Sequence, residues 1–221
     1  LLQWARGQTS SIEMTPVLFN LHGLVKGVFM LLLTNANDKQ VLLQNLVPIN
    51  TGLFADPNMI NTVIRNLVNN AIKYTPEKGI IKVSAVKENN KLVIRISDNG
   101  VGMDAETCSK LFRIDKHIST PGTKGEAGTG LGLIICKDFI EKHDGSISVE
   151  SEPGKGTHFI IRMNPAEDIT LDESATAQVN NVKAELCSDQ DEIVQTKEEN
   201  KISTENESYS EDLPLLLVVD D

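Results

Sequence analysis

The stretch Asn66-Leu67-Val68-Asn69-Asn70-Ala71-Ile72-Lys73-Tyr74 constrains the fold of this 221-residue chain more than any other. At about 100° per residue, Asn66, Asn70 and Lys73 share one narrow face of a helix. Ile60, Ile64, Leu67 and Ala71 form a broad apolar face turned away from it. Asp56 suits the N-cap of this helix and Pro57 its first turn, and the pattern ends near Thr75-Pro76. Such a helix must pack its back on a core while its front carries two amides and an ammonium. Amide carbonyl oxygens can ligate Mg²⁺, and a lysine pairs with phosphate as a point charge. The front therefore suits a metal–phosphate group. The alternative is a plain amphipathic helix with a solvated polar face.

The remaining pattern surrounds this helix with strands. Val17-Leu18-Phe19 reads as a strand entry and Leu21 to Leu33 as an apolar helix, followed by short strands over 41–47 and 52–55. Lys78-Gly79 marks a turn. Residues 80–87 and 91–97 alternate and are joined by Glu88-Asn89-Asn90, which predicts a hairpin. The second of these strands runs straight into Asp98-Asn99-Gly100-Val101-Gly102. A short helix over 104–113 precedes residues 115–130, which hold several glycines and little apolar content and read as a long mobile loop. Residues 131–143 form a further amphipathic helix, with Gly145 expected at its C-terminal cap. A last hairpin, 146–151 and 157–163, turns about Pro153-Gly154-Lys155-Gly156.

Charge divides the chain. Its formal net charge is −10, yet residues 166–212 hold 14 acids against three bases, while residues 1–165 hold 18 bases against 15 acids. The first part is slightly basic, which suits a polyanionic ligand but is too little for nucleic-acid binding. The second reads as an extended acidic linker without a core. Cys108, Cys136 and Cys187 have no metal-ligand spacing and read as reduced thiols. The longest apolar run, Val28 to Leu33, is far too short to cross a bilayer.

Chemistry concentrates at a few positions. Asn66, Asn70 and Lys73 offer metal and phosphate ligands. The Asp98 carboxylate, at a strand end, can accept from an exocyclic amine. Gly100 and Gly102 let backbone approach a ring or phosphate closely. Thr129, Gly130 and Gly132 open a helix whose free N–H groups favour anions. Each is weak alone; their order and spacing together are specific.

The pattern resembles the catalytic ATP-binding domain of the two-component histidine kinases, within the ATPase superfamily that includes gyrase, the Hsp90 chaperones and the MutL proteins. Asn66 to Tyr74 is similar to the N box, Asp98 to Gly102 to the first glycine box, Leu111-Phe112 to the F box, and Gly128 to Gly132 to the second glycine box. The resemblance covers roughly residues 19–163. It implies an α+β fold: a two-layer α/β sandwich, with a mixed β-sheet covered on one face by helices and a mobile ATP lid (the Bergerat fold). It implies that Asn70 ligates Mg²⁺, that Asn66 supports the metal or phosphates, and that Asn66 and Lys73 serve the chemistry, with Lys73 on phosphate. Tyr74 would pack by the adenine and Asp98 would take its amino group, with Gly100 and Gly102 beside it. Thr129, Gly130, Leu131, Gly132 and Leu133 would bind phosphates as the lid closes, and Thr157 would line the base pocket.

The hydrolytic relatives place a glutamate base where Asn66 stands; an amide cannot activate water, so phosphoryl transfer to a protein group is favoured. The ends extend the resemblance. Residues 1–16 are similar to the tail of a dimerisation and phosphoacceptor helix hairpin, followed by the catalytic domain over 17–165. The acidic linker over 166–212 then leads to 213–221, which resembles the first strand of a response-regulator receiver, with Asp220 and Asp221 as its acidic pair. A fragment of a hybrid sensor kinase is expected, with ATP and Mg²⁺ as cofactors. Its partners would be the parent's phosphoacceptor helices and a receiver in cis or in trans. The parent would be a homodimer anchored in the membrane, this portion being cytoplasmic. Two departures stand out. Asp115 occupies the place of the F box's second aromatic. No histidine lies in a phosphoacceptor box: His22, His117 and His158 lack the acidic neighbour, and His143, followed by Asp144, reads as a structural helix-end residue.

Overall fold

The computed structural model describes residues 13–113, 122–123 and 131–166. Residues 1–12 of the expected remnant helix, the acidic linker beyond Ala166, the closing strand and most of the glycine-rich loop lie outside the described residues; residues 13–16, the end of that expected remnant, are not helical. In chain order the elements are β1 (Val17–Asn20), α1 (Leu21–Asp38), β2 (Leu42–Leu46), β3 (Gly52–Ala55), α2 (Pro57–Tyr74), β4 (Ile80–Glu88), β5 (Lys91–Asp98), α3 (Ala105–Lys110), α4 (Gly132–Lys142), β6 (Ser146–Glu152) and β7 (Gly156–Met163). β1 and β3 form a small antiparallel pair. The main sheet has the order β2-β4-β5-β7-β6, with β2 parallel to β4 and every other pairing antiparallel.

Strand alternation decides which face of the sheet is covered. Ile81, Val83 and Ala85 of β4, Leu92, Ile94 and Ile96 of β5, and Phe159, Ile161 and Met163 of β7 are all buried. They join Val25, Val28 and Leu32 of α1, Ile60, Ile64 and Leu67 of α2, and Cys136 and Ile140 of α4 in one core. On the opposite face Lys82, Arg95, His158 and Arg162 are exposed, while Val93 and Ile160 are buried there outside the main core. This is the expected mixed sheet with helices on one face. The two-residue β4–β5 turn places Asn89 at φ 50° and Asn90 at φ 58°, the left-handed pair that a tight hairpin needs; Glu88 therefore belongs to the strand.

Three local expectations are refined. α1 runs on past Leu33 to Asp38, because Ala36 alone continues its buried stripe through an otherwise polar turn. Lys78 (φ 62°) and Asp144 (φ 54°), not the glycines after them, take the left-handed positions. Gly79 and Gly145 are required for close approach instead. A Cβ at Gly79 would overlap the Thr75 methyl, and one at Gly145 would lie 2.9 Å from the Arg162 carbonyl oxygen.

α2 is fixed at its start by Asp56. Its Oδ1 accepts from the backbone N–H groups of Asn58 (2.9 Å) and Met59 (3.2 Å), and its Oδ2 from that of Thr15 (2.9 Å). The Asp56 N–H donates to His143 Nε2 at 2.9 Å, and His143 Nδ1 lies 2.7 Å from the Phe139 carbonyl oxygen. A carbonyl only accepts, so Nδ1 carries the proton and Nε2 is the bare acceptor. His143 thus ties α4 to the start of α2. Burial pushes the Asp56 carboxyl up, but its N–H partners on Thr15, Met59 and Asn58 outweigh it and hold the group below its ordinary value. A lowered carboxyl contributes stability that is present above the unfolded-state pKa and lost as pH falls through the folded one. Asp56→Ala is expected to cost about 2 kcal/mol at neutral pH. Thermal melts at pH 7 and in acid check this, since the gap between variant and parent should narrow in acid.

Candidate functional site

The predicted site residues fall at one end of the sheet and along one helix. Asp98 ends β5, stands opposite Thr157 of β7 in the ladder, and is only 6% exposed. Its Oδ1 accepts from the backbone N–H groups of Gly100 (2.9 Å) and Thr157 (3.2 Å). Burial raises this carboxyl above the ordinary aspartate value, against the lowering effect of those two donors.

The first glycine box is clamped from both sides. The Val101 N–H donates to the Tyr74 carbonyl at 3.1 Å, and the Gly154 N–H to the Val101 carbonyl at 2.7 Å. A Cβ on Gly100 would lie 2.5 Å from the Tyr74 carbonyl oxygen and 2.8 Å from Asp98 Oδ1. Gly102 (φ 65°) leaves no room for a Cβ against the Glu152 carbonyl. Both glycines are therefore fixed by contact, as backbone pressed between the end of α2 and the β6–β7 turn.

The N box lies along α2. Asn66 and Asn70 are half-buried and one turn apart, and Lys73 is buried at 8% exposure with its Nζ 4.8 Å from the centre of the Tyr74 ring. Asn66 meets the second glycine box: a Cβ on Gly132 would sit 3.5 Å from the Asn66 amide carbon and oxygen. Next to it the buried Cys136 thiol donates to the Val63 carbonyl at 3.8 Å, and burial pushes the thiol up to about 12. That thiol is a packed core group and not a nucleophile. α4 begins at Gly132 without a side-chain cap, so its first N–H groups are not taken by one. The structure thus joins Asn66, Gly132 and the start of α4 at one end, and Tyr74, Gly100, Asp98 and Thr157 at the other. Leu131 and Leu133 flank Gly132, half-buried. Thr129 and Gly130 lie outside the described residues.

Two residues at this site carried no readable sequence signal of their own. Lys39, in the turn after α1, reads as a solvated lysine, yet it is 3% exposed. Its Nζ donates to the carbonyls of Ile72 (2.8 Å) and Lys73 (2.9 Å) and to Thr123 Oγ1 (2.6 Å). A cation thus closes the C-terminus of α2, where the helix dipole is negative, and secures Thr123. The other residue is Ser151, opposite Thr157 in the β6–β7 hairpin; the hairpin register was its only clue.

Residues 55–167 match the family of histidine kinase-, DNA gyrase B- and HSP90-like ATPases, half of the chain. The protein belongs to this ATPase family. Among relatives, the sensor histidine kinase GacS of Pseudomonas protegens is 32% identical over 74% of this chain and 18% of its own length. The sensor protein SrrB of Staphylococcus aureus is 38% identical over 51% of this chain and 19% of its own. The chain thus spans about a fifth of the length of these relatives. Among solved structures, the nucleotide-free catalytic domain of the histidine kinase ThkA is 30% identical with a TM-score of 0.59, covering 70% of this chain and 97% of that one. Full-length ShkA in complex with AMPPNP shares the fold at a TM-score of 0.63 and 23% identity, over 76% of this chain and 35% of that one. The ATPase family's nucleotide-binding architecture, the Bergerat fold, is the fold described above. Among the described residues, no helix is long and apolar enough to cross a membrane.

Proposed function

We propose that this chain binds Mg·ATP and, in a longer parent protein, presents its γ-phosphoryl group to a histidine on partner helices for relay to a receiver aspartate. The observation that carries the reading is the pairing of two contacts along α2. Gly100 packs against Tyr74 beside Asp98, and Gly132 packs against Asn66. Eight residues separate these points, about 12 Å of helix, a length that an extended nucleoside triphosphate spans. The base end is a buried carboxylate with a glycine cradle; the other end has an amide and an uncapped helix start.

The donor set fits a hard cation. Asn70 offers an amide oxygen, and Mg²⁺ takes few protein ligands beside water and phosphate oxygens. Among the described residues no three His, Cys, Asp or Glu side chains gather to hold a metal by themselves. Mg²⁺ on Asn70 would therefore share its coordination with the phosphates, whose charge it neutralises. Asp98 orients the base and Lys73 faces the phosphates as a point charge. Asn66 ties the phosphate end of α2 to α4 and, as an amide, offers no base for water. What remains is positioning and charge neutralisation, which suffice for phosphoryl transfer.

The parent protein with its upstream helices, given Mg²⁺ and γ-labelled ATP, is expected to acquire acid-labile label, and the 221-residue chain alone is not. An unlabelled parent that still binds the nucleotide would make this a nucleotide-sensing module instead.

A further inference from the structure

Resting on the adenine-binding reading, we infer that Ser151 is a specificity-determining residue: it locks the Thr157 hydroxyl as a hydrogen-bond acceptor and so selects an amino-bearing purine over an oxo-bearing one. Asp98, Thr157 and Ser151 stand in one row across β5, β7 and β6. Ser151 Oγ accepts from the Met103 N–H at 2.9 Å and donates to the Gly156 carbonyl at 2.8 Å. It also lies 3.0 Å from Thr157 Oγ1.

A hydroxyl has one proton and two lone pairs. The Gly156 carbonyl can only accept, so the Ser151 proton goes there. The Met103 N–H takes one lone pair. The contact with Thr157 then works in one sense only: the threonine donates and Ser151 accepts. Ser151 is thereby saturated, and Thr157 Oγ1 keeps its lone pairs and has no proton for the pocket. Asp98, paired with Thr157 in the ladder and with Oδ1 filled by two backbone donors, keeps Oδ2 as a second acceptor in the same row. A 6-amino group supplies donors to this acceptor lining; a 6-oxo group opposes it lone pair to lone pair. A site built on fixed hydrogen-bond polarity discriminates far better than one built on shape.

The test measures binding of the imido analogues of ATP and GTP to the whole chain, the Ser151→Ala and Ser151→Thr variants, and the same Ser151 change on Thr157→Val. The parent should prefer the ATP analogue strongly. Ser151→Ala should reduce that preference about 10-fold or more, as the freed Thr157 hydroxyl turns to donate to the 6-oxo group. Ser151→Thr, which keeps the hydroxyl, should retain the preference. On Thr157→Val, removing Ser151 should leave the ratio unmoved. Equal weakening toward both analogues would make Ser151 a structural residue and overturn the inference. A parent that binds the two analogues alike would overturn it while leaving ATP binding intact. A parent that binds neither defeats the adenine reading itself.

Discussion

Asp98→Asn is expected to weaken binding of a non-hydrolysable ATP analogue about 100-fold while raising the melting temperature of the nucleotide-free protein. The two effects share one cause. Asp98 is buried, and its Oδ1 is held by the N–H groups of Gly100 and Thr157. An asparagine can keep both bonds through its carbonyl oxygen, but it then turns an amino group toward the base, where an acceptor is needed. A charge-assisted hydrogen bond contributes about 1.5–3 kcal/mol, and reversal of polarity adds to its loss. About 100-fold corresponds to roughly 2.7 kcal/mol.

The stability arm follows from linkage. The folded pKa of Asp98 is raised, by burial first. Its favourable contribution is therefore present below the unfolded-state pKa and is lost as pH rises through the folded one. At neutral pH the carboxylate costs stability, and the amide removes that cost. The gain in melting temperature should be full near pH 7 and fade in acid. Calorimetric titration and melts across pH check both arms; undiminished affinity, or a lower melting temperature at pH 7, would contradict them.

Gly156→Ala is expected to destabilise the fold by about 4 kcal/mol or more, an exceptional value for one methyl group. Gly156 sits at φ 98°, and a Cβ there would overlap the Asp98 carbonyl oxygen and lie 2.9 Å from Asn99 Cα. Both obstacles are backbone, so no side chain can swing aside. The start of β7 would have to part from the end of β5, which also undoes the Thr157 N–H bond to Asp98. For a domain of this size the melting temperature should fall on the order of 10 °C. By contrast, a Cβ on Gly154 meets nothing within 4 Å. Gly154→Ala bears only the strain of its φ of 76°, so it should cost about 1–2 kcal/mol. Parallel melts of the two variants separate overlap from backbone strain.

What the sequence displays well is whatever repeats locally. The apolar face of α2, the Asp56-Pro57 start and the strand alternation all lie within a few residues of one another. The family was legible because the order and spacing of the asparagine- and glycine-bearing boxes are fixed along the chain. Lys39 was not legible, since its partners Ile72, Lys73 and Thr123 are 33 to 84 residues away. Nothing in a post-helical turn distinguishes a buried cation from a solvated one. The glycines misled in a similar way. Gly79 and Gly145 sit beside left-handed residues, so their local setting suggests a backbone role. Their reason is contact with Thr75 and with the Arg162 carbonyl, which only the folded chain supplies. The packing of Gly132 on Asn66 joins two boxes more than sixty residues apart, and likewise needed coordinates.

The most direct measurement is calorimetric titration of the 221-residue chain with a non-hydrolysable ATP analogue, with and without Mg²⁺, beside Asn70→Ala. Saturable one-to-one binding that tightens with Mg²⁺, the tightening being lost in Asn70→Ala, is the expected result. A chain that takes up no adenine nucleotide under either condition would contradict the reading of these residues as one pocket.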